Sequence, residues 1–459
     1  MRGVPVLAPI SRQFGPAALN VALFVLSLTF TLMTPVDVTD QAFPDSADYQ
    51  HQARSPIASL EFFAPRASPG FYPRPFGVPL FYKLMGGDPR LVVIMQKIAH
   101  SAASLILAGS LLSLVQREAA KYLLVLGVYS LMSWWTIVGW TTVLLSESLS
   151  FSFLFCWISS VLFFYSRGTR FSLGLQLLSL SLLALTRDTW PYLLIFFYGV
   201  MLVISLVFKW RSVRPTVICL GVSILLFALQ DWTARIGERK RLPLLNNIVL
   251  RILPNENQLR WFVRRGMPQA DDLSNRFEKD TTPQSKMDDL TEMYTDGGYS
   301  NLFSWINTKG PGVYVRFLIS RPRTAFLLRE SRDNLSRIFT YDFSLYLGPP
   351  KGYSRVSAAI FFPLFRAGGI AALLIALLIT FYYQRRRVLF VPHLIGLMTV
   401  FNAVLSYHAD AMEVERHLVI TRPMMELIGI LSLALLVDGV MRGAPERKPE
   451  VVALGLIRR

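Results

Sequence analysis

Apolar runs of about 18 residues or more recur from one end of this chain to the other, and nothing in it constrains the fold more. A helix of about that length spans the hydrocarbon core of a bilayer. Candidate spans fall at roughly 14–34, 91–115, 122–142, 147–165, 171–187, 190–208, 215–230, 357–382, 388–407 and 420–440. The composition agrees, since 53% of the 459 residues are hydrophobic, more than a soluble chain of this length carries. The first run, Phe14–Thr34, follows Arg2 and Arg12 and lacks a small-residue cleavage site, so it reads as a retained span. Both cysteines, Cys156 and Cys219, lie inside apolar runs, which argues against a disulfide framework or a zinc ribbon.

The net charge of +17 is distributed in a way that argues against nucleic acid and for a membrane. Basic residues gather in alternate connections: Arg117 and Lys121; Arg167 and Arg170; Lys209, Arg211 and Arg214; Arg385, Arg386 and Arg387. The tail adds Arg442, Arg447, Lys448, Arg458 and Arg459. With all of these cytoplasmic, the topology closes with both termini inside and about ten spanning helices. The expected architecture is therefore an all-α polytopic membrane protein with two large extracytoplasmic loops. Residues 1–230 form an N-terminal transmembrane module that includes the first outer loop, 35–90. Residues 231–356 form the larger outer loop, and 357–459 hold the last helices and the basic tail. Asn246–Leu253, Leu259–Arg264 and Val313–Ile319 read as short amphipathic helices over the membrane face, where Trp232, Trp261 and Trp305 would suit the interface.

Five polar clusters fall on the outer side. They are DSADY (Asp45–Tyr49), YPRPFGVPLF (Tyr72–Phe81) leading to VVIMQKIAH, LLSESL (Leu144–Leu149), ALTRDTWPYLL (Ala184–Leu194) and HADAMEVERH (His408–His417). Ionisable groups at the ends of spans are expensive there and mark functional candidates. Asp45 and Asp48 share one face if their segment is helical, where repulsion could raise one pKa. The local alternative is that Asp45 caps a helix beginning at Ser46. Glu147 is either a site residue or a helix N-terminal charge favoured by the dipole. Arg74, Arg187 and Arg416 are candidates for a phosphate, because a guanidinium pairs with phosphate through two parallel hydrogen bonds. The alternatives are snorkelling for Arg187 and a local pair with Glu413 or Glu415 for Arg416. His408, Asp410, Glu413 and His417 are further site candidates; they lack the i, i+4 histidine pair of a helical zinc site, so no metal site is assigned to them. A divalent cation could instead bridge Asp45, Glu147 and a phosphate. His51 is read as a bystander.

In their order, these clusters resemble the GT-C glycosyltransferases, multi-spanning enzymes that take a sugar from a polyprenyl-phosphate carrier, such as the protein O-mannosyltransferases and lipid A aminoarabinose transferases. Asp45, Ser46, Tyr49 and Ala53 match an acidic D-S-x-x-Y-x-x-x-A element. Arg74, Gly77, Pro79, Leu80 and Phe81 loosely match the element that follows it. Ser146–Leu149 and Leu185–Thr189 match two later ones, with Asp188 where a proline is usual. The resemblance implies a GT-C-like fold and a polyprenyl-phosphate-sugar donor. It implies an acceptor that is a glycan, lipid or protein, and Asp45 as the base that activates its hydroxyl. Asp48, Glu147 and Tyr49 would stand beside that base, and membrane lipids would surround the site. The alternatives are a transporter or lipid flippase, a surface-polysaccharide polymerase or ligase, and a silent scaffold that kept the fold. No nucleotide-binding fingerprint appears at the inner face. The compact loops and the absence of a retention signal point to a bacterial inner membrane with the site outside.

Overall fold

Every regular element among the described residues is helical. The computed structural model describes residues 15–34, 44–66, 68, 71–209, 213–277, 293, 297–322, 347, 390–409 and 414–440. Helices α1 (Pro16–Met33) and α5 (Pro89–Leu112) each begin on a proline, whose missing N–H is one the first turn would leave unpaired anyway. Asp88 adds a cap to α5 by accepting from the Arg90 N–H. Helix α8 (Ser146–Arg167) stops at Gly168, whose φ of +64° is the left-handed conformation of a helix C-terminus. The next residue, Thr169, accepts from Ser172 N–H and starts α9 (Arg170–Ala184). Two residues thus make the whole α8–α9 turn.

Helices α1, α5, α8, α10 (Thr189–Val207) and α11 (Val213–Ile236) are long and apolar enough to cross a membrane. A sixth qualifies if α6 (Glu118–Met132) is joined to the segment Trp135–Thr142, which bends away from it by 56°. The expected span at 122–142 is therefore broken. The chain becomes extended at Trp134, and α7 (Trp135–Val138) starts a new direction. No proline or glycine marks the break; Trp134 C=O anchors the new turn by accepting from Ile137 and Val138 N–H. Helix α9, expected as a full span at 171–187, has 15 residues. That is about 22 Å, short of a hydrocarbon core of about 30 Å. Helix α11 runs to Ile236, so the large loop begins later than 231. The expected span at 357–382 lies outside the described residues.

Helix α8 is the centre of the bundle, packed between α5 and α9, and α10 packs against α11. Between these elements and the loops lie α2 (Pro44–Arg54), α3 (Leu60–Phe63) and α4 (Gly77–Leu84). The loop elements that follow α11 are α12 (Arg241–Asn247), a π-helical turn at Ile248–Ile252, α13 (Glu256–Val263), α14 (Ala270–Phe277), α15 (Ser300–Thr308) and α16 (Gly310–Ser320). Of the expected amphipathic segments, Asn246–Leu253 falls across the end of α12 and the π-helical turn, Leu259–Arg264 on α13 and Val313–Ile319 on α16; together these elements have a core of their own, including Leu245, Ile248, Phe262, Leu302 and Phe317. Trp261 and Trp305 are buried in it rather than lying at an interface. Their apolar faces meet neighbouring helices instead of lipid. Trp232, on α11, is about half exposed.

Two further helices, α17 (Phe390–Ala409) and α19 (Thr421–Val440), flank the short turn α18 (Val414–His417). Helix α17 packs on α10 and α12, and α19 packs on α6. Asp438 closes the far end of this pair by accepting from Gln116 N–H at 2.8 Å and Arg117 N–H at 2.7 Å. This puts α18 at the same end of the bundle as the N-termini of α8 and α10.

Candidate functional site

The residues gathered at that end form one chain of alternating charge. Arg74 Nη2 lies 2.5 Å from Asp45 Oδ1 and 2.7 Å from Asp48 Oδ2. Arg416 Nη1 lies 2.8 Å from the other oxygen of Asp45, while its Nε donates to Glu147 Oε1 at 2.7 Å. Arg187 Nη2 stands 3.9 Å from the same Glu147 oxygen and 3.1 Å from His417 Nδ1. The order is Asp48, Arg74, Asp45, Arg416, Glu147, Arg187, His417. Three carboxylates face three guanidiniums, so the chain is close to neutral.

Local structure explains why each side chain arrives there. Helix α2 begins at Pro44, so Asp45 lies inside its first turn, and its carboxylate is spent on two arginines rather than on a cap at Ser46. Asp48, one turn on, shares that face and also accepts from Tyr72 N–H at 3.2 Å. Gln52, another turn on, holds the backbone of Arg74. It accepts from Arg74 N–H at 3.0 Å and donates to Arg74 C=O at 3.1 Å. Tyr49 is buried under Arg74, whose guanidinium carbon lies 5.8 Å from its ring centre. Glu147 sits in the first turn of α8, fully buried. The dipole favours it there, but its partners are Arg416 and Arg187. Arg416 pairs across the bundle with Asp45 and Glu147; Glu413 and the side chain of Glu415, its expected local partners, lie outside what the structure describes.

The sequence elements meet one another as well as the cluster. Gly77 N–H donates to Leu185 C=O at 3.2 Å, and a Cβ on Gly77 would stand 2.4 Å from that oxygen. Glycine is required because the second and fourth clusters touch there. Ser150 Oγ donates to Thr186 Oγ1 at 3.0 Å, joining the helix that carries Glu147 to the segment that carries Arg187. Asp188 is held from outside its own helix. Arg239 grips it with two bonds, Nε to Oδ2 at 2.9 Å and Nη2 to Oδ1 at 2.7 Å, which ties the start of α10 to the segment after α11.

The electrostatics separate the two aspartates. Burial pushes the Asp45 carboxyl up, but Arg74 and Arg416 outweigh it and bring it to about 2. Asp48 is raised, because its burial outweighs the same Arg74. Burial, with Arg187 and Arg416 beside it, lowers His417 to about 3. A guanidinium can only donate, so His417 Nδ1 accepts from Arg187 as a neutral imidazole. His417, a site candidate of the sequence, is the last member of the chain.

His408 sits elsewhere. Its ring packs edge-on to Tyr407, and its C=O accepts from Asn247 of α12 at 3.2 Å. Asp410 and Glu413 lie outside the described residues. His51 stacks on Phe71 with ring centres 4.7 Å apart. Among the described residues, no three His, Cys, Asp or Glu side chains converge to hold a metal. The place expected for a cation between Asp45 and Glu147 is taken by the Arg416 guanidinium. Gln52, Tyr72 and Arg239 are site or support residues that their types did not announce.

No protein-family model matches the chain, and no curated protein matches its sequence.

Proposed function

We propose that this protein is a multi-pass membrane glycosyltransferase. It moves a sugar from a polyprenyl-phosphate-linked donor to a glycan, lipid or protein acceptor at the extracytoplasmic face, in a bundle of about ten spans. The single observation that carries this reading is the charge chain. Residues from all five polar clusters of the sequence put three carboxylates and three guanidiniums within reach of one another. Transfer from a phosphate-linked sugar needs both kinds of group at one place.

The acceptor hydroxyl attacks the anomeric carbon and gives its proton to a carboxylate. The bond between that carbon and the phosphate oxygen breaks, and the electron pair leaves with the phosphate. Arg187 and Arg416 receive that growing negative charge, and Asp45 takes the proton. With Arg74 and Arg416 both in place, a carboxyl at about 2 is a weak base. A donor phosphate competing for Arg416 removes one of those cations and makes Asp45 more basic when the substrate is present. Asp48 keeps Arg74 fixed against it, and Glu147 holds Arg416 and Arg187 until the phosphate arrives.

The test uses full-length protein in lipid nanodiscs with a panel of radiolabelled polyprenyl-phosphate sugars and a membrane-glycan extract as acceptor. Wild type is expected to release free polyprenyl phosphate, and Asp45→Asn is expected to lose at least 100-fold of that rate, the lower end of a positioned base's contribution. Equal release by Asp45→Asn would remove Asp45 from the chemistry. Movement of intact donor across proteoliposomes without bond cleavage would replace the transferase reading with a transporter.

A further inference from the structure

At the opposite end of α8 from Glu147, a groove of about 550 Å³ opens between α5, α8 and α9. That volume is in the range of ligand pockets. Ser146 and Arg167 stand at the two ends of a 22-residue helix, about 33 Å apart, so the Arg167 end of the groove lies on the side of the bundle opposite the charge chain.

The wall of the groove is made of small residues and apolar ones. Ser110, Ser159, Ser160, Ser166 and Ser179 line it beside Phe153, Phe163 and Leu178. These serines are hydroxyls in name more than in effect. Ser110, Ser159 and Ser166 each donate to a carbonyl of their own helix three or four residues back, and Ser160 and Ser179 share one hydrogen bond at 2.8 Å with a carbonyl of its own helix within reach of each. Their donors are spent within the bundle, which leaves a mostly apolar wall that suits hydrocarbon better than a ligand needing donors. Their small size is what opens the space. Ile106, Leu175, Leu178 and Leu182 are exposed at the rim, facing the bilayer at the depth of acyl chains. The one charged residue lining the groove is Arg167, which stacks on Phe163 at 4.7 Å, and Arg170 follows on the same turn. No acidic residue lines it.

We propose that this groove binds one acyl chain of an anionic phospholipid, with the lipid phosphate at Arg167. The lipid fills the gap left by the short α9, and it stays in the leaflet opposite the charge chain. The inference rests on the bundle being in a membrane and is independent of the transferase reading.

The test is native mass spectrometry of the full-length protein after exchange into vesicles of equal phosphatidylglycerol and phosphatidylcholine with matched chains. One tightly retained lipid is expected, with phosphatidylglycerol favoured about fivefold, the effect of one basic residue on an anionic headgroup. Arg167→Ala should abolish that preference while retaining a lipid, and Ser110→Phe, which fills the groove, should cut retention at least tenfold. Retention unchanged in both variants overturns the proposal, as does preferential retention of an added polyprenyl phosphate. If Ser110→Phe does not fold, phosphatidylglycerol with a diazirine in its acyl chain gives the answer on wild type. Labelling within 106–113 or 153–182 supports the site, and labelling confined to other segments overturns it.

Discussion

Removing Arg416 asks the most of the charge chain. Its Nε lies 2.7 Å from a Glu147 oxygen, which at an effective dielectric of about 20 corresponds to a Coulomb attraction of about 6 kcal/mol. Desolvation of two buried ions takes back much of it, and close buried pairs measured by double-mutant cycles retain about 1.5–7 kcal/mol. A coupling of about 2–4 kcal/mol is therefore expected. Arg416→Met leaves Glu147 fully buried with Arg187 at 3.9 Å as its remaining cation, and should destabilise by about 3–5 kcal/mol, as expected when one partner of a buried pair is lost. Glu147→Gln leaves Arg416 with Asp45 and costs less. In the double variant the uncompensated charge is gone, so its loss should fall short of the sum of the two singles by the coupling energy. The assay is reversible denaturant unfolding in mixed micelles, followed by tryptophan fluorescence. Strict additivity of the three variants would refute the reasoning, because it would mean that the pair contributes nothing beyond what each residue contributes alone.

The same chain predicts a pH dependence with a definite sign. Asp45 falls to about 2 in the fold and His417 to about 3; both are depressed, so their stabilisation is complete above their unfolded values and is lost on acidification. For His417 the loss begins near its unfolded value of about 6.5 and continues to about pH 3. His417→Gln, which keeps an acceptor for Arg187, should flatten the unfolding midpoint between about pH 6 and 4, and an unchanged slope there would count against a buried neutral His417. Gly77→Ala brings a Cβ against Leu185 C=O and should cost about 1–3 kcal/mol of stability by overpacking, measured in the same unfolding assay. Asp188→Pro fits the local φ of −63° but strips Arg239 of its carboxylate. A loss of about 1–2 kcal/mol is expected, from a bidentate pair whose carboxylate is half exposed, and Arg239→Met should be no worse in the Pro background than in wild type.

How much of this was legible in the sequence depends on what kind of fact is asked for. Residue type at a span end is legible, because an ionisable group beside hydrocarbon is costly enough that its presence already says something. Asp45, Arg74, Glu147, Arg187 and Arg416 are all found that way, and all five meet. Pairing is not legible. Arg416 has glutamates one and three positions away, and its described partners Asp45 and Glu147 lie hundreds of positions off. Nothing local distinguishes these, since the choice is made by the packing of α8 against the rest of the bundle. The same limit hid Asp188–Arg239, 51 positions apart. Amphipathic periodicity located the loop helices but not what their apolar faces touch. A stripe on a helix reads the same whether it meets lipid or another helix, so the pattern that suits Trp261 and Trp305 to an interface is equally that of the core in which they lie. The break at Trp134 left no trace, because helix ends are read from proline, glycine and caps and this one is made by a tertiary fit in an unbroken apolar run. Chemistry that a bilayer makes expensive is therefore written in the sequence, while the partners that make it tolerable are chosen by the fold.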